Sequence, residues 1–131
     1  MVNRLKTTAR PFAKLNRPEG AYEFVFVLAK RRDHFWNLGC EHVRMNVWPI
    51  PMDFTNKGHC ASFPEELARR CIEAGCPDGG IALDPFASSG STAVAATSLG
   101  RKFVGIELKD EYVKLARERV ERTRANATKA G

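Results

Sequence analysis

The sequence predicts an α/β fold with parallel strands, and three observations between residues 81 and 122 predict it. Two short apolar runs alternate with two helical segments, in the order strand, loop, helix, strand, helix. An acidic residue ends each strand, and a loop of small residues follows the first strand. Strands that alternate with helices pair in parallel and place their carboxyl ends on one edge of the sheet. At 131 residues, the chain is long enough for one small domain.

The first fifty residues carry weaker indications of structure. Residues 1–20 are basic and polar and contain two prolines, so we expect a loop or a frayed start there. The aromatic and β-branched run Tyr22–Leu28 predicts a buried strand, and His34–Trp36 is a candidate for a short return strand. Two prolines are then expected to break any strand that ends at Trp48.

A helix is predicted after residue 62. Ser62 and Glu65 have the spacing of a capping box, and a proline lies in the first turn. Apolar residues recur on one face, and Gly75 is expected to end the helix in the left-handed conformation. The residues of that face are Phe63, Leu67, Cys71 and Ile72.

The α/β unit follows this helix. Ile81–Asp84 predicts a strand, Ser91–Leu99 an alanine-rich helix closed by a glycine, and Phe103–Glu107 a second strand. Asp110 is a good N-cap for the last helix, which is expected to fray from about residue 123. The inner stripe of that helix consists of Tyr112, Val113, Ala116 and Val120.

Composition and charge narrow the class of protein. The hydrophobic fraction of 44% and charged fraction of 27% are those of a globular chain, and no apolar run approaches the ~20 residues of a membrane span. No segment at the start resembles a signal peptide, so we expect a cytoplasmic protein without membrane contact. The net charge is +6, and residues 1–50 hold nine basic and four acidic side chains. That excess fits either a surface for a phosphate backbone or a solvated face.

The cysteines do not predict a metal site. No C-x-x-C pair occurs, and the spacings to the nearby His42 and His59 match no common zinc arrangement. Cys71 falls on the apolar face of the predicted helix, where a buried and inert thiol is expected. Disulfides are not expected in a reducing compartment. The four cysteines are Cys40, Cys60, Cys71 and Cys76.

A candidate ligand site lies where the predicted parallel strands end. Asp84 closes the first strand, the small-residue loop 87–90 follows, and free N–H groups at Ser91 and Thr92 open a helix that attracts an anion. Glu107 closes the next strand 23 residues after Asp84, near the spacing at which an acid reaches ribose hydroxyls. The pattern therefore favours a nucleoside with an anionic group nearby.

The motifs of other common nucleotide sites are absent from the sequence. Neither G-x-G-x-x-G nor a Walker A loop occurs, which argues against nicotinamide, flavin and nucleoside triphosphate sites. The plainer alternative is that Asp84 and Glu107 merely cap the ends of their strands. Two acids at this spacing around a small-residue loop favour the ligand site.

Three segments of the chain carry a family resemblance. The segment 84–92, DPFASSGST, resembles the S-adenosylmethionine-binding motif D-P-F-x-G-S-G-T-T of DNA amino-methyltransferases. The segment 103–108, FVGIEL, together with the following Glu111-Tyr112 and 116–119, resembles their next motif. The segment 59–67, HCASFPEEL, is similar to their H-P-A-x-F-P-x-x-L. Segments 47–51 and 22–26 also fit, so the resemblance spans about residues 10–122.

The resemblance implies a role for each matching residue. Glu107 would accept hydrogen bonds from the ribose hydroxyls of S-adenosylmethionine, and Leu108 would flank its adenine. Asp84 and Phe86 would line the loop beside the methionine moiety. The implied cofactor-binding set is Asp84, Phe86, Ser88, Gly90, Ser91, Thr92, Glu107, Leu108, His59, Ala61 and Phe63. Ser91 and Thr92 would hold the carboxylate, Ala61 and Phe63 would pack on the methionine side, and His59 would order that turn.

Two residues depart from the family pattern. Ser88 stands at the first glycine of the loop motif, and Cys60 stands at a proline. If position 88 needs a left-handed backbone or a close approach, the Cβ of serine would weaken cofactor binding.

The catalytic motif of the family has no counterpart in this sequence. These enzymes use Asp, Asn or Ser followed by Pro-Pro and an aromatic residue to bind the target amine and stack on the flipped base. The chain contains no Pro-Pro, so we assign no catalytic residue. The expected fold is therefore part of a doubly wound, Rossmann-like methyltransferase domain, the C-terminal half of the arrangement in which the catalytic motif comes first.

Within this domain we expect three parts. Residues 1–56 would be a basic, DNA-facing and linking segment, 57–122 the cofactor-binding β-α unit, and 123–131 a frayed tail. The expected activity of the whole enzyme is methylation of the exocyclic amine of adenine or cytosine in DNA, with this chain inactive alone. The alternatives are a non-catalytic DNA-binding remnant, or a subunit of a split enzyme that pairs with a complementing chain or with itself.

Overall fold

The computed structural model of the chain describes residues 2–6, 22–51 and 63–129. Five strands, three α-helices and one 3-10 turn at Glu41–Arg44 account for most of them. The strands are β1 (Val2–Lys6), β2 (Tyr22–Val25), β3 (Val47–Ile50), β4 (Ile81–Asp84) and β5 (Lys102–Gly105). The helices are α1 (Glu65–Gly75), α2 (Ser91–Ser98) and α3 (Asp110–Lys129). Within these described ranges, no helix is both long and apolar enough to cross a membrane.

The first sheet has the order β2-β1-β3, with β1 antiparallel to β2 and parallel to β3. The expectation of a loop throughout residues 1–20 is wrong for Val2–Lys6, which is the central strand. Pairing on both sides satisfies the backbone of β1, and the polar sequence of that stretch contains little local indication of it.

Strand β2 is shorter and more exposed than predicted. The predicted buried strand Tyr22–Leu28 ends at Val25, and only Val25 is half-buried. The rings of Tyr22 and Phe24 meet edge to face at 5.1 Å, and Phe26 follows at 6.1 Å from Phe24. These aromatic rings therefore contact each other and solvent. The candidate return strand at His34–Trp36 is also absent, since residues 34–37 form no strand.

Strand β3 runs through Pro49, where a break was predicted. It lies at the edge of its sheet, where a residue without an N–H group is tolerated. Trp48 and Ile50, 1% and 0% exposed, form a small core with Val25 and with Leu67 of α1. β3 therefore joins the first sheet to the first α-helix.

The second sheet confirms the predicted parallel unit. β4 and β5 are parallel, with Ala82 opposite Phe103 and Asp84 opposite Gly105. Helices α1 and α2 cover the face that contains Ala82 and Phe103, where Ala68, Ile72, Ala95 and Ala96 form the core. The alternate side chains point to the other face and are exposed, since no described element packs on them. We call this the uncovered sheet face; its residues are Ile81, Leu83, Val104 and Ile106.

The helix ends differ from the predictions in two places. Gly75 is the last residue of α1 but has no left-handed backbone, and Cys76 follows in an extended conformation. α3 does not fray at residue 123 but continues to Lys129, with the Thr123 and Thr128 hydroxyls donating to carbonyls one turn earlier. The predicted capping residue Ser62 lies outside the described residues. The predicted stripes are only partly covered: Ile72 is buried, the stripe of α3 is half-buried, and Phe63 and Cys71 are exposed.

Candidate functional site

The candidate site lies at the carboxyl ends of β4 and β5. Because the two strands are parallel, Asp84 and Glu107 come to the same edge of the sheet, and the loop 85–90 runs between them. The loop is held to the next strand by backbone hydrogen bonds, from Ala87 N to the Ile106 carbonyl at 3.0 Å and from Ile106 N to the Asp84 carbonyl at 2.9 Å. This is the edge at which ligands bind in α/β sheets.

Asp84 organises the loop and the start of the next helix. Its Oδ1 accepts a hydrogen bond from Phe86 N at 2.9 Å, and its Oδ2 accepts one from the Thr92 hydroxyl at 2.6 Å. Both carboxylate oxygens therefore have partners inside the fold. Asp84 therefore fixes the shape of the loop and the start of α2.

Glu107 holds the loop from the other side. Its Oε2 accepts a hydrogen bond from Ser88 N and its Oε1 accepts one from Lys109 N, each at 2.9 Å. A carboxylate has about four acceptor positions, so each oxygen can accept a further hydrogen bond. Glu107 is therefore fixed in orientation and still able to bind a pair of hydroxyl groups.

The loop needs unusual backbone conformations. Ser88 has a φ of 45°, so position 88 does adopt the left-handed conformation that glycine favours. Gly90 has a φ of 83°, and a Cβ there would lie 2.6 Å from the Cβ of Ala116 on α3. Gly90 therefore permits both the turn and the close packing of the loop on α3.

The start of α2 presents backbone rather than side-chain donors. The Thr92 hydroxyl is taken by Asp84, and the Ser91 hydroxyl is buried without a hydrogen-bond partner among the described residues. The first N–H groups of a helix have no carbonyl one turn earlier within that helix. An anion at this point would therefore meet the N–H groups of Ser91 and Thr92 more readily than their hydroxyls.

Two large apolar side chains flank the site. Phe86, in the loop after β4, is 85% exposed, and Leu108, after β5, is 95% exposed. Phe63, before α1, is half-exposed. His59 and Ala61, which the resemblance also assigns to this site, lie outside the described residues, as does Cys60.

Arg119 is a positioning residue, and it is not among the residues that the sequence predicts for the site. From α3, its Nη1 donates to the Ser89 carbonyl at 2.6 Å and to the Ser89 hydroxyl at 3.1 Å, and its Nη2 pairs with Glu65 of α1. Its side chain is mostly buried. Arg119 therefore connects the loop to helices α1 and α3. The sequence signal that could have identified it is its place in the second motif of the family resemblance, at the end of segment 116–119.

A cavity of about 530 Å³ opens beside β5 and reaches the loop. Its lining includes Ser88 and Glu107 at one end and Val113, Ala116 and Val120 of α3 along its length. A nucleoside fits the chemistry of this region, since one acid is free to accept hydroxyl hydrogens and exposed apolar side chains flank it. Helix N–H groups nearby favour an anionic group on the same ligand.

Comparison with known sequences gives concordant matches. A family model for N6 and N4 methyltransferases, described as DNA methylase, matches residues 4–118. The chain is 35% identical over 130 residues to the Type II methyltransferase M.SmaI of Serratia marcescens, covering 91% of this chain and 44% of that protein. It is 42% identical over 81 residues to the DNA adenine methyltransferase YhdJ of Escherichia coli, covering 58% of this chain and 27% of that one. The chain thus spans less than half the length of these curated relatives.

Comparison with solved structures gives the fold. The cytosine-N4-specific PvuII DNA methyltransferase has a TM-score of 0.79 at 19% identity, covering 95% of this chain and 54% of that one. A DNA modification methylase of Thermus thermophilus, solved in complex with S-adenosyl-L-methionine, has a TM-score of 0.65 at 27% identity, covering 93% of this chain and 52% of that one. These likenesses confirm the predicted Rossmann-like fold class.

Proposed function

Because the chain belongs to the DNA methylase family, we propose that it forms the S-adenosylmethionine-binding part of a site-specific DNA methyltransferase. The proposed enzyme acts on the exocyclic amino group of adenine or cytosine, because the matching family model is named for N6 and N4 methyltransferases. The observation that carries the proposal is Glu107, whose carboxylate holds the loop at Ser88 and keeps acceptor capacity for a ribose. One relative is named for adenine and one solved structure for cytosine N4, so the proposal includes both bases.

Each residue of the site has a proposed part in holding the cofactor. Glu107 accepts hydrogen bonds from the ribose hydroxyls, with Leu108 beside the adenine and Phe86 beside the methionine moiety. The N–H groups of Ser91 and Thr92 bind the carboxylate. Residues Asp84, Ser88 and Gly90 shape the loop, and His59, Ala61 and Phe63 complete the methionine side. The bound cofactor supplies the electrophilic methyl group, and this chain orients it.

Calorimetric titration of the full chain with S-adenosylmethionine tests this proposal. Glu107→Ala removes two charge-assisted hydrogen bonds to ribose, which corresponds to an affinity about 100-fold lower. Glu107→Gln keeps the size of the side chain and separates loss of charge from loss of loop structure. Glu111→Ala, an exposed acid nearby, is the matched control and should bind as the wild type does. Equal binding by Glu107→Ala and the control would contradict the proposal.

We further propose that a separate segment or chain carries the catalytic Pro-Pro-aromatic motif and docks beside β4. Among the described strands β4 pairs only with β5, so its other edge has unpaired backbone groups. A groove of about 440 Å³ runs between that edge and α1, and it is lined by Val25, Phe63, Leu67, Cys71, Ile81 and Leu83. A strand added to β4 would fill this groove with its side chains.

The exposed part of the α1 stripe supports this docking site. Cys71 opens into the groove, and its apolar surroundings limit the solvation of the thiol and raise its pKa. The uncovered sheet face is a second apolar surface that suits a covering element. Transfer of labelled methyl groups to DNA is expected only when the complementary segment is present. Methylation by this chain alone would contradict the split, and would leave the cofactor proposal intact.

A second candidate function is DNA binding without methyl transfer, and the basic N-terminal region favours it. A shallow cavity of about 470 Å³ is lined by Arg32, His34, Trp36 and Arg44, which combines cations with an aromatic ring. This function predicts salt-dependent DNA binding that Glu107→Ala leaves unchanged, with no response to S-adenosylmethionine. Self-association into a homodimer is the alternative to pairing with a different chain. A location in the cytoplasm would give a protein with either function access to DNA.

A further inference from the structure

We infer that Cys40, His42 and Glu73 form a binding site for a zinc ion, away from the candidate cofactor site. The three side chains come from the loop before the 3-10 turn, from that turn, and from α1. One donor atom of each lies within 4.8 Å of the other two. A sulfur, a nitrogen and a carboxylate oxygen together are ligands that zinc accepts in a tetrahedral site.

The distance between two of the donors fits this geometry. His42 Nε2 and Glu73 Oε2 are 3.4 Å apart. Two ligands that are each about 2.0–2.1 Å from a tetrahedral zinc lie roughly 3.3 Å from each other. Cys40 Sγ lies within 4.8 Å of donor atoms of both residues, and a side-chain rotation can bring it to the corresponding edge of roughly 3.5 Å.

A ring nitrogen of His42 is buried without a hydrogen-bond partner among the described residues. His42 Nε2 is buried and makes no hydrogen bond with any described residue, because its contact with Glu73 lacks hydrogen-bond geometry. Buried side-chain nitrogens are rarely left without a partner. A metal ion between His42 and Glu73 would satisfy the ring nitrogen and the free carboxylate oxygen together.

The surrounding contacts orient all three donors. Asn37 Nδ2 donates to Cys40 Sγ at 3.1 Å, and Asn37 N donates to the Ala74 carbonyl at 2.9 Å. The Trp48 ring packs edge to face on His42 at 5.7 Å, and its Nε1 donates to the His42 carbonyl at 2.7 Å.

Arg69 bonds to the other oxygen of Glu73, so Oε2 stays available to the metal. Three protein ligands leave a fourth position for water. The ion would then join the 3-10 turn to α1, beside the hydrogen bond from Asn37 N to the Ala74 carbonyl. The spacing of the cysteines could not indicate this site, because the third ligand lies 31 residues beyond His42 and reaches it only through the packing of α1.

Titration of the metal-free full chain with Co²⁺ tests the inference, because a cobalt–thiolate bond gives a charge-transfer band in the near ultraviolet. We expect one equivalent per chain, displacement by Zn²⁺, and loss of the band in Cys40→Ser. Glu73→Gln, which keeps the side-chain size, should weaken Zn²⁺ binding at least tenfold. Cys71→Ser is the matched control and should keep the band.

A second readout does not depend on the thiol. Zn²⁺ should raise the Tm of the wild type and of Cys71→Ser, and should raise neither that of Glu73→Gln nor that of His42→Gln. Either of two results overturns the inference: a band that survives in Cys40→Ser, or no band and no Tm shift at one equivalent of metal in folded wild-type protein. A cooperative thermal transition in the same samples shows that the chain is folded.

Discussion

The N-terminal region, described at residues 2–6 and 22–51, and the C-terminal region, residues 63–129, are held together in different ways. The C-terminal region is crossed by side-chain hydrogen bonds between distant residues, such as Glu107 to Ser88 and Arg119 to Ser89, 19 and 30 residues apart. The N-terminal region depends on strand pairing and on two buried side chains of β3, while the aromatic rings of β2 are exposed. The hydrogen bonds that hold the loop 85–90 thus come from residues of the C-terminal region itself. The N-terminal region instead presents surfaces suited to contact with other molecules.

The largest expected effect comes from removing the main core side chain of the N-terminal region. Trp48→Ala empties the space between β3 and α1, and such truncations cost about 3–5 kcal/mol of unfolding free energy. Urea unfolding followed by near-ultraviolet circular dichroism measures it. If the two regions are independent, the variant keeps its Tm response to S-adenosylmethionine.

Phe26→Ala provides the control for that variant. Phe26 is an exposed aromatic residue of the same region, so its truncation should change the unfolding free energy by only about 0.5 kcal/mol. A Trp48→Ala protein that remains folded but no longer responds to the cofactor would break the comparison, because the N-terminal core would then support the loop.

Gly90→Ala is the corresponding change in the C-terminal region. The new Cβ would lie 2.6 Å from that of Ala116, at a residue whose φ is 83°. Overpacking and backbone strain together should cost about 3 kcal/mol, measured by urea unfolding. Gly100→Ala is a matched control, since Gly100 has a φ of 66° and open space around it, and its cost should be only about 1 kcal/mol. Equal costs for the two variants would show that the packing of the loop on α3 contributes little.

Arg119→Met tests how the loop is held. The substitution keeps most of the buried stem and removes the bonds to Ser89 and Glu65, each of the kind worth about 1.5–3 kcal/mol when a charge is involved. Because Glu65 is 41% exposed and its ion pair is screened by solvent, we expect the unfolding free energy to fall by about 2 kcal/mol, mainly from the bonds to Ser89, and amide exchange near Ser89 to accelerate. Arg122→Met, on the exposed side of α3, should show neither change. If Arg119→Met shows faster amide exchange near Ser89 but binds S-adenosylmethionine as tightly as the wild type, then the order of the loop does not determine the affinity for the cofactor.

The smallest expected effect is a pH dependence within α1. Hydrogen bonds from Arg69 and Arg70 lower the pKa of Glu66 from its ordinary value of 4.5. Because the pKa is lower in the folded state, the stabilisation is complete above the unfolded pKa and is lost as pH falls through the folded value. Glu66→Gln should therefore cost about 0.5 kcal/mol at neutral pH and nothing once the carboxylate is protonated. Thermal melts of both proteins from pH 7 to 3 measure this, and a stability difference that does not shrink as the pH falls would contradict it.

Most of the C-terminal region could be predicted because its elements follow from local patterns. The strand at Ile81–Asp84 matches the prediction, and the helices begin at Ser91 and Asp110 as expected. Glu107 was identified as a site residue from spacing alone, and the structure brings it to the loop. Its hydrogen-bond donors could not be predicted from the sequence, because the bond from Ser88 N depends on the left-handed backbone conformation of the loop at that residue. The ligand contacts of these residues stay predictions.

The N-terminal region was predicted poorly for a physical reason. Val2–Lys6 is a strand because it pairs with neighbours that lie about 20 and 45 residues along the chain, as its register with Val25 and Val47 indicates. Pro49 looked like a break, but its position at a sheet edge makes it harmless. Burial of Tyr22–Leu28 was inferred from apolar composition, which cannot specify whether another element covers that face.

The Arg119 contacts have a kinetic consequence. They connect residues 30 and 54 positions apart, to Ser89 and to Glu65, and contacts of long sequence separation form late in folding. We therefore expect the loop at the ends of β4 and β5 to reach its final shape only after α3 has packed against α2. A ligand that needs the finished loop stabilises interactions absent from the transition state. Its binding should slow unfolding of the C-terminal region and leave the folding rate almost unchanged.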